Sequence, residues 1–226
     1  MNADSQVEEH EIEMTLGSVV LKGMLALVPG ATGLVLFVHG SGSSRFSSRN
    51  RFVAGDLQLG GLSTLLFDLL STEEERVDQF TRELRFDVGL LTRRVVGVTD
   101  WLQQNPETRT LGIGYFGAST GAAAALEAAA RFSDQPDVVK AVVSRGGRPD
   151  LAMEALTLVV APTLLIVGGD DHVVIQLNRQ AFARLTAPKD LKIVPGASHL
   201  FEEPGTLEEV SRLAREWFQR NLGAAR

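Results

Sequence analysis

Apolar residues fall along this chain in two alternating rhythms. Short continuous runs occur at residues 34–38 (LVLFV), 62–70 (LSTLLFDLL), 138–143 (VVKAVV), 163–167 (TLLIV) and 191–194 (LKIV). Such runs predict strands buried on both faces of a sheet. Leu111, Ile113, Tyr115 and Phe116 predict one more strand. Ahead of them, residues 11–16 and 19–28 flank Gly17-Ser18 and predict an antiparallel hairpin, closed by a turn at residues 29–33. Between the runs the apolar spacing changes to three or four. Phe52, Val53 and Leu57 share one helix face that stops at Gly60-Gly61. Phe86, Leu90, Leu91, Val95, Val98 and Leu102 mark a longer helix ending at Pro106. The alanines of residues 122–130 mark a third, and Val174, Leu177, Ala181 and Leu185 a fourth. Thr206 with Glu209 has the form of a capping box opening a last helix, with Leu207, Val210, Ala214, Trp217 and Phe218 inward. Residues 71–78 are acidic and polar and read as a connection.

After the hairpin, strand and helix alternate to the end. That order predicts an α/β fold: a mostly parallel central sheet with an N-terminal antiparallel hairpin and helices on both faces. The 226 residues suit a single domain over 1–226, with residues 1–10 as a flexible N-terminus. Ligands of such sheets bind where the strands end at their carboxyl edge. Three reactive side chains, Ser119, Asp171 and His199, each follow a predicted strand and therefore share that edge.

The most informative stretch is LGIGYFGASTGAAAA, residues 111–125. Gly117-Ala118-Ser119-Thr120-Gly121 has the G-x-S-x-G pattern of a nucleophile elbow, between a strand and a helix as that motif requires. The serine sits on a strained turn that projects its hydroxyl, and glycines flank it where strand and helix approach too closely for a Cβ. Gly112, Gly114 and Gly117 also spell G-x-G-x-x-G, with Asp134 twenty residues past Gly114. A dinucleotide site needs its glycines in the turn, whereas the first two here fall inside the strand, so a nucleotide cofactor is not expected.

A serine hydroxyl needs a base within hydrogen-bond reach, and the base needs an orienting group. His199, in the loop after the last strand, is the base; His172 adjoins the acidic pair, His10 is a surface residue, and His39 ends a buried strand as a structural group. Asp171 or its neighbour Asp170 is the orienting acid. The oxyanion needs two amide donors. Thr120 N–H is one, and the loop His39-Gly40-Ser41-Gly42 offers Ser41 N–H, then Gly42, as the other. Gly40, Gly42 and Arg145 are candidate substrate contacts; Arg145 and Arg148 can hold a carboxylate or fix their own loop through groups such as Asp150.

Charge and composition remove other classes. A net charge of -6 disfavours nucleic acid and anionic membranes as partners. The chain has no cysteine, so disulfides, thiolate metal sites and a cysteine nucleophile are excluded. Its 4 histidines lack metal-ligand spacing, and no metal is expected. The polar, acidic start has no apolar signal region and no run reaches a membrane span, which points to the cytoplasm. Oligomeric state is not indicated.

VHGSGSSR, TLLFDLL, GYFGASTGAAAAL, VVSRGGRPDLA, LLIVGGDDHVV and PGASHLFEEPG follow one another through nearly the whole chain. Together they resemble the α/β-hydrolase superfamily, and within it the small, lidless dienelactone hydrolase family. The resemblance implies the order Ser119, Asp171, His199, and its G-x-x-D spacing from Gly168 favours Asp171 over Asp170. Dienelactone hydrolases proper use a cysteine nucleophile; Ser119 in its place implies a carboxylesterase-like activity without cofactor. About twenty residues, half of them charged, separate Phe67 from Phe86, too few for a lid domain, which implies an open site and small, short-chain esters. The same triad could pass the acyl group to another acceptor or to peroxide, as an acyltransferase or perhydrolase. A non-catalytic ligand-binding protein on this fold would have no need for nucleophile, acid, base and oxyanion loop together.

Overall fold

A computed structural model describes residues 7–223. Its strands are β1 Glu8–Leu16, β2 Val19–Leu27, β3 Gly33–Val38, β4 Ser63–Phe67, β5 Gly112–Ala118, β6 Val139–Arg145, β7 Thr163–Gly168 and β8 Lys189–Val194. Its helices are α1 Ser48–Leu59, α2 Thr72–Thr81, α3 Val88–Gln104, α4 Thr120–Arg131, α5 His172–Arg184 and α6 Thr206–Leu222. All eight strands form one sheet in the order β1-β2-β4-β3-β5-β6-β7-β8. The β1–β2 and β2–β4 pairs are antiparallel and the others parallel. This is the mostly parallel sheet with an N-terminal antiparallel hairpin that the alternating pattern predicts, and the α/β-hydrolase architecture that the resemblance implies. Every residue of β3, β4 and β7 is buried, as strands covered on both faces require.

One face of the sheet carries α3, α4 and α5, whose Val95, Val98, Leu126 and Ala181 belong to one core. The other carries α1 and α6, where Val53, Leu57, Trp217 and Phe218 form a second. From β3 the chain runs to β4 on one side and then returns to β5 on the other. β3 and β5 therefore flank the point where the connections diverge, and a crevice opens there at the carboxyl edge.

The pattern and the structure differ in particular places. β1 begins at Glu8, and residues 8–10, expected to be flexible, pair with residues 25–27 of β2; residues 1–6 of that expected segment lie outside the described residues. Phe52 and Phe86, expected inward, are exposed, because α1 buries Asn50, Val53, Ala54 and Leu57 and α3 starts only at Val88. The connection at residues 71–78 is largely helix. α2 opens with a true capping box, Ser71 Oγ accepting from Glu74 N–H while Glu74 accepts from Ser71 N–H. At α6 the expected box does not form. Gly205, at φ 83, is the N-cap, and Thr206 Oγ1 instead donates to Glu203 O at 2.7 Å.

Buried Asp78 anchors α2 to the following turn. It accepts from Leu84 N–H at 2.7 Å and from Arg85 Nε at 2.5 Å. Burial pushes its carboxyl up, and the Arg85 guanidinium with the Leu84 and Arg85 amides outweighs this, leaving its pKa below the ordinary value. The charged form therefore stabilises the fold above about pH 4, and the contribution fades as pH falls through the lowered pKa. Asp78→Asn is expected to lower the melting temperature by about 5 °C at neutral pH. The gap should close below about pH 4; a gap unchanged down to pH 3 would contradict the assignment.

Candidate active site

The elbow is built by sterics before chemistry. Ser119 has φ 50 and ψ -123, a conformation that non-glycine residues rarely adopt. It is held on both sides: Ser119 N–H donates to Arg145 O at 3.2 Å, and Ser119 O accepts from Ala122 N–H at 3.1 Å and Arg148 N–H at 3.0 Å. A Cβ on Gly117 would stand 2.5 Å from Ala122 Cα, and one on Gly121 2.3 Å from the carbonyl oxygens of Val38 and His39. Only glycine permits strand, turn and helix to close this tightly.

Ser119 stands at the N-terminus of α4, where no side chain caps the helix. Thr120 N–H, at the first helical position, is among the amides that a helix leaves unpaired. Across the crevice, the loop after β3 approaches closely enough that a Cβ on Gly40 would lie 3.1 Å from Ser119 Cβ. Ser41 N–H, expected to be the second oxyanion donor, instead donates to Thr120 Oγ1 at 2.9 Å. The Thr120 hydroxyl, unremarked in the sequence, thus takes the Ser41 amide in this structure. Gly42, at φ 71, remains beside it in the same loop.

His39 anchors this loop from below. Its Nδ1 lies 2.9 Å from Gly40 O and its Nε2 accepts from Leu69 N–H at 3.1 Å, which places the proton on Nδ1. Burial pushes its pKa down, consistent with a neutral structural imidazole.

His199 Nδ1 and Asp171 Oδ2 are 2.6 Å apart. Asp171 occupies the N-cap position of α5 but makes no capping bond; its carboxylate serves the imidazole. Asp170 is exposed, and its N–H ties the acid loop to Ala197 O at 3.0 Å. A Cβ on Gly168 would lie 2.4 Å from Ala197 O, so the histidine loop rests directly on that glycine. Gly146, at φ 52, leaves the His199 ring in van der Waals contact: a Cβ there would lie 3.5 Å from its Cε1. Ser119 and His199 therefore both pack on the Arg145-Gly146 pair. No hydrogen bond joins Ser119 Oγ to His199 among the described residues, an arrangement common before substrate tightens a site.

Glu203 has no signal in the sequence. It accepts from Ser198 N–H at 3.0 Å, and the Ser198 amide and hydroxyl hold its carboxyl below the usual range. It fastens the loop that carries His199. His172 is exposed at the start of α5 and His10 is exposed in β1. Arg148 pairs with Asp150 through two hydrogen bonds of 2.7 and 2.8 Å, so it fixes its own loop. Arg145 turns instead to Asn50 on α1.

A cavity of about 730 Å³ adjoins the loop after β3, lined by His39, Gly42, Ser43, Phe46, Ser71 and Arg76 among others. α2 forms one wall of it through Thr72, Glu75 and Arg76; Ser119, Asp171 and His199 are not among its lining residues. Among the described residues no helix is long and apolar enough to cross a membrane.

Comparison with known proteins follows the same lines. The model of the dienelactone hydrolase family matches residues 68–222. A crystal structure of a dienelactone hydrolase from Anabaena variabilis superposes with a TM-score of 0.93 at 59% identity, over 96% of this chain and 99% of that one. An esterase from Pyrococcus furiosus shares the fold alone, with a TM-score of 0.76 at 20% identity over 97% of this chain and 95% of that one. Two curated relatives from strains of Mycobacterium tuberculosis, described provisionally as phosphoribosyl transferases, are 54% identical over 220 residues. That match spans 97% of this chain but 48% of theirs, about half their length.

Proposed function

We propose that this chain, which belongs to the dienelactone hydrolase family, is a serine hydrolase that cleaves small, polar carboxylic esters through an acyl-enzyme on Ser119. The observation that carries the proposal is the 2.6 Å Asp171–His199 pair, at the same sheet edge as a serine on a strained turn. Asp171 fixes the imidazole with its Nδ1 proton inward, leaving Nε2 to accept the Ser119 proton. Ser119 Oγ attacks the ester carbonyl, and the oxyanion develops at the N-terminus of α4, where Thr120 N–H is available. Ser41 N–H becomes the second donor by exchanging its bond to Thr120 Oγ1 for one to the oxyanion. His199 returns the proton to the leaving alcohol, and water, activated by the same base, releases the acid. The hydroxyl-rich cavity beside the oxyanion loop favours a polar leaving or acyl group over a long aliphatic chain.

The phosphoribosyl transferase description belongs to relatives about twice as long. A strained serine with an imidazole base serves acyl transfer, so for this stretch hydrolysis is the better reading. The two adjacent acids provide the test. Asp171→Asn is expected to lower kcat on p-nitrophenyl acetate by about 10³- to 10⁴-fold, because it favours the wrong imidazole tautomer. Asp170→Asn should stay within about threefold of the parent, its carboxylate having no role at the imidazole. Equal losses in both variants, or loss only at Asp170, would contradict the assignment.

A further inference from the structure

The α1 face of the sheet holds a positive cluster that the proposed triad does not use. Arg145 closes β6, next to the nucleophile strand, and only 7% of it is exposed. Among the described residues its side chain makes one hydrogen bond, from Nη2 to Asn50 Oδ1, long at 3.3 Å. Its Nε is buried without an acceptor among the described residues. The charge acting on it is a second cation, Arg49. Arg49 reaches the exposed Glu202 carboxylate at 3.2 Å through Nη1, while its own Nε is also buried and unpaired among the described residues. Arg49 and Asn50 stand in the first turn of α1, a twelve-residue helix whose first turn carries no acidic residue. The positive end of the helix thus adds to two guanidinium groups.

A buried guanidinium ordinarily has a carboxylate to offset its lost hydration. Burial, with Arg49 beside it, pushes the Arg145 pKa down to about 10, still charged at neutral pH. The protein's own groups therefore leave an excess of positive charge where the Arg49 and Arg145 guanidinium groups neighbour the first turn of α1. The place is also linked to the chemistry. Arg145 O holds the Ser119 amide, and the Phe201 ring, two residues past His199, lies 5.9 Å from the Arg145 guanidinium.

We infer that Arg49, Asn50, Arg145 and the first turn of α1 form a binding site for a small oxyanion, a carboxylate or phosphate group, beside the His199 loop. The group is either carried by the substrate or free in solution. A bound oxyanion neutralises the arginine pair and braces the segment that carries the base.

Thermal melting with inorganic phosphate and with succinate, each against sodium chloride at matched ionic strength, tests the site. The parent should gain about 3–5 °C, saturably, at ten times the dissociation constant. The gain should vanish in Arg145→Met and shrink in Arg49→Gln, while Arg145→Met without anion should be no less stable than the parent. If Arg145→Met does not fold, the surface substitution Arg49→Gln decides. Gains matched by chloride, or gains equal in parent and variants, overturn the inference. A second arm identifies the source. A KM about tenfold lower for p-nitrophenyl hydrogen succinate than for p-nitrophenyl acetate, lost in Arg49→Gln, assigns the site to a substrate carboxylate. Equal KM values alongside the melting response assign it to a free anion. This arm alone rests on the hydrolase reading; the melting arm stands without it.

Discussion

Ser119→Ala is expected to lower ester hydrolysis by at least about 10⁴-fold while leaving the melting temperature within about 2 °C of the parent. The two halves of this result have different causes. Activity falls because the acyl-enzyme has no oxygen on which to form. Stability holds because Ser119 Oγ makes no hydrogen bond among the described residues, and alanine tolerates φ 50 no better and no worse than serine. Ser119→Gly separates strain from chemistry. It should be as inactive as the alanine variant yet melt about 2 °C or more above it, because glycine adopts φ 50 freely. Steady-state rates with p-nitrophenyl acetate and melting curves on the three proteins check both halves. A Ser119→Ala variant retaining a tenth of the parent rate would remove Ser119 from the reaction.

Gly121→Ala is expected to have the largest effect on the fold of any single methyl group at the site. The added carbon would lie 2.3 Å from two backbone oxygens at the end of β3, Val38 O and His39 O, in the middle of the sheet. Neither is a flexible side chain that could move aside. Relief requires α4 to withdraw from β3, opening the core of Ala123, Ala124 and Leu126 beneath it. The cost should exceed about 4 kcal/mol, a large share of the 5–15 kcal/mol typical of whole domains. Urea unfolding followed by circular dichroism should show a midpoint far below the parent's, or no folded baseline. Gly55→Ala is the control: in mid-α1, with nothing within 4 Å of the added carbon, it should stabilise by about 0.5–1 kcal/mol through helix propensity. A Gly121→Ala midpoint near the parent's would mean that strand and helix are not packed as described.

The elements that position the site were legible because each is dictated locally. Continuous apolar runs gave the buried strands β3, β4 and β7, and G-x-S-x-G between a strand and an alanine-rich helix located the elbow. His199 and the pair Asp170-Asp171 follow from lying just beyond strands at the same sheet edge; the family resemblance favours Asp171, and it is Asp171 that meets His199 at 2.6 Å. What escaped depends on groups far apart in sequence or on choices between equivalent partners. α2 carries little apolar periodicity, but Ser71 with Glu74 was a readable capping signal. At Thr206 the same spacing misled, because the hydroxyl found the Glu203 carbonyl and Gly205 took the cap position. The Ser41–Thr120 bond joins residues 79 apart, and no local pattern shows which hydroxyl will take a loop amide. Glu203 reads as one more surface acid until the loop folds back on Ser198.

The central claim is tested most directly by mixing the parent protein with excess p-nitrophenyl acetate and following both p-nitrophenol release and intact mass in the first turnovers. The account predicts a burst of product stoichiometric with protein, together with an acetyl adduct that maps to Ser119 and is absent from Ser119→Ala. Hydrolysis without a burst or adduct, or an adduct at another residue that survives in Ser119→Ala, would contradict it.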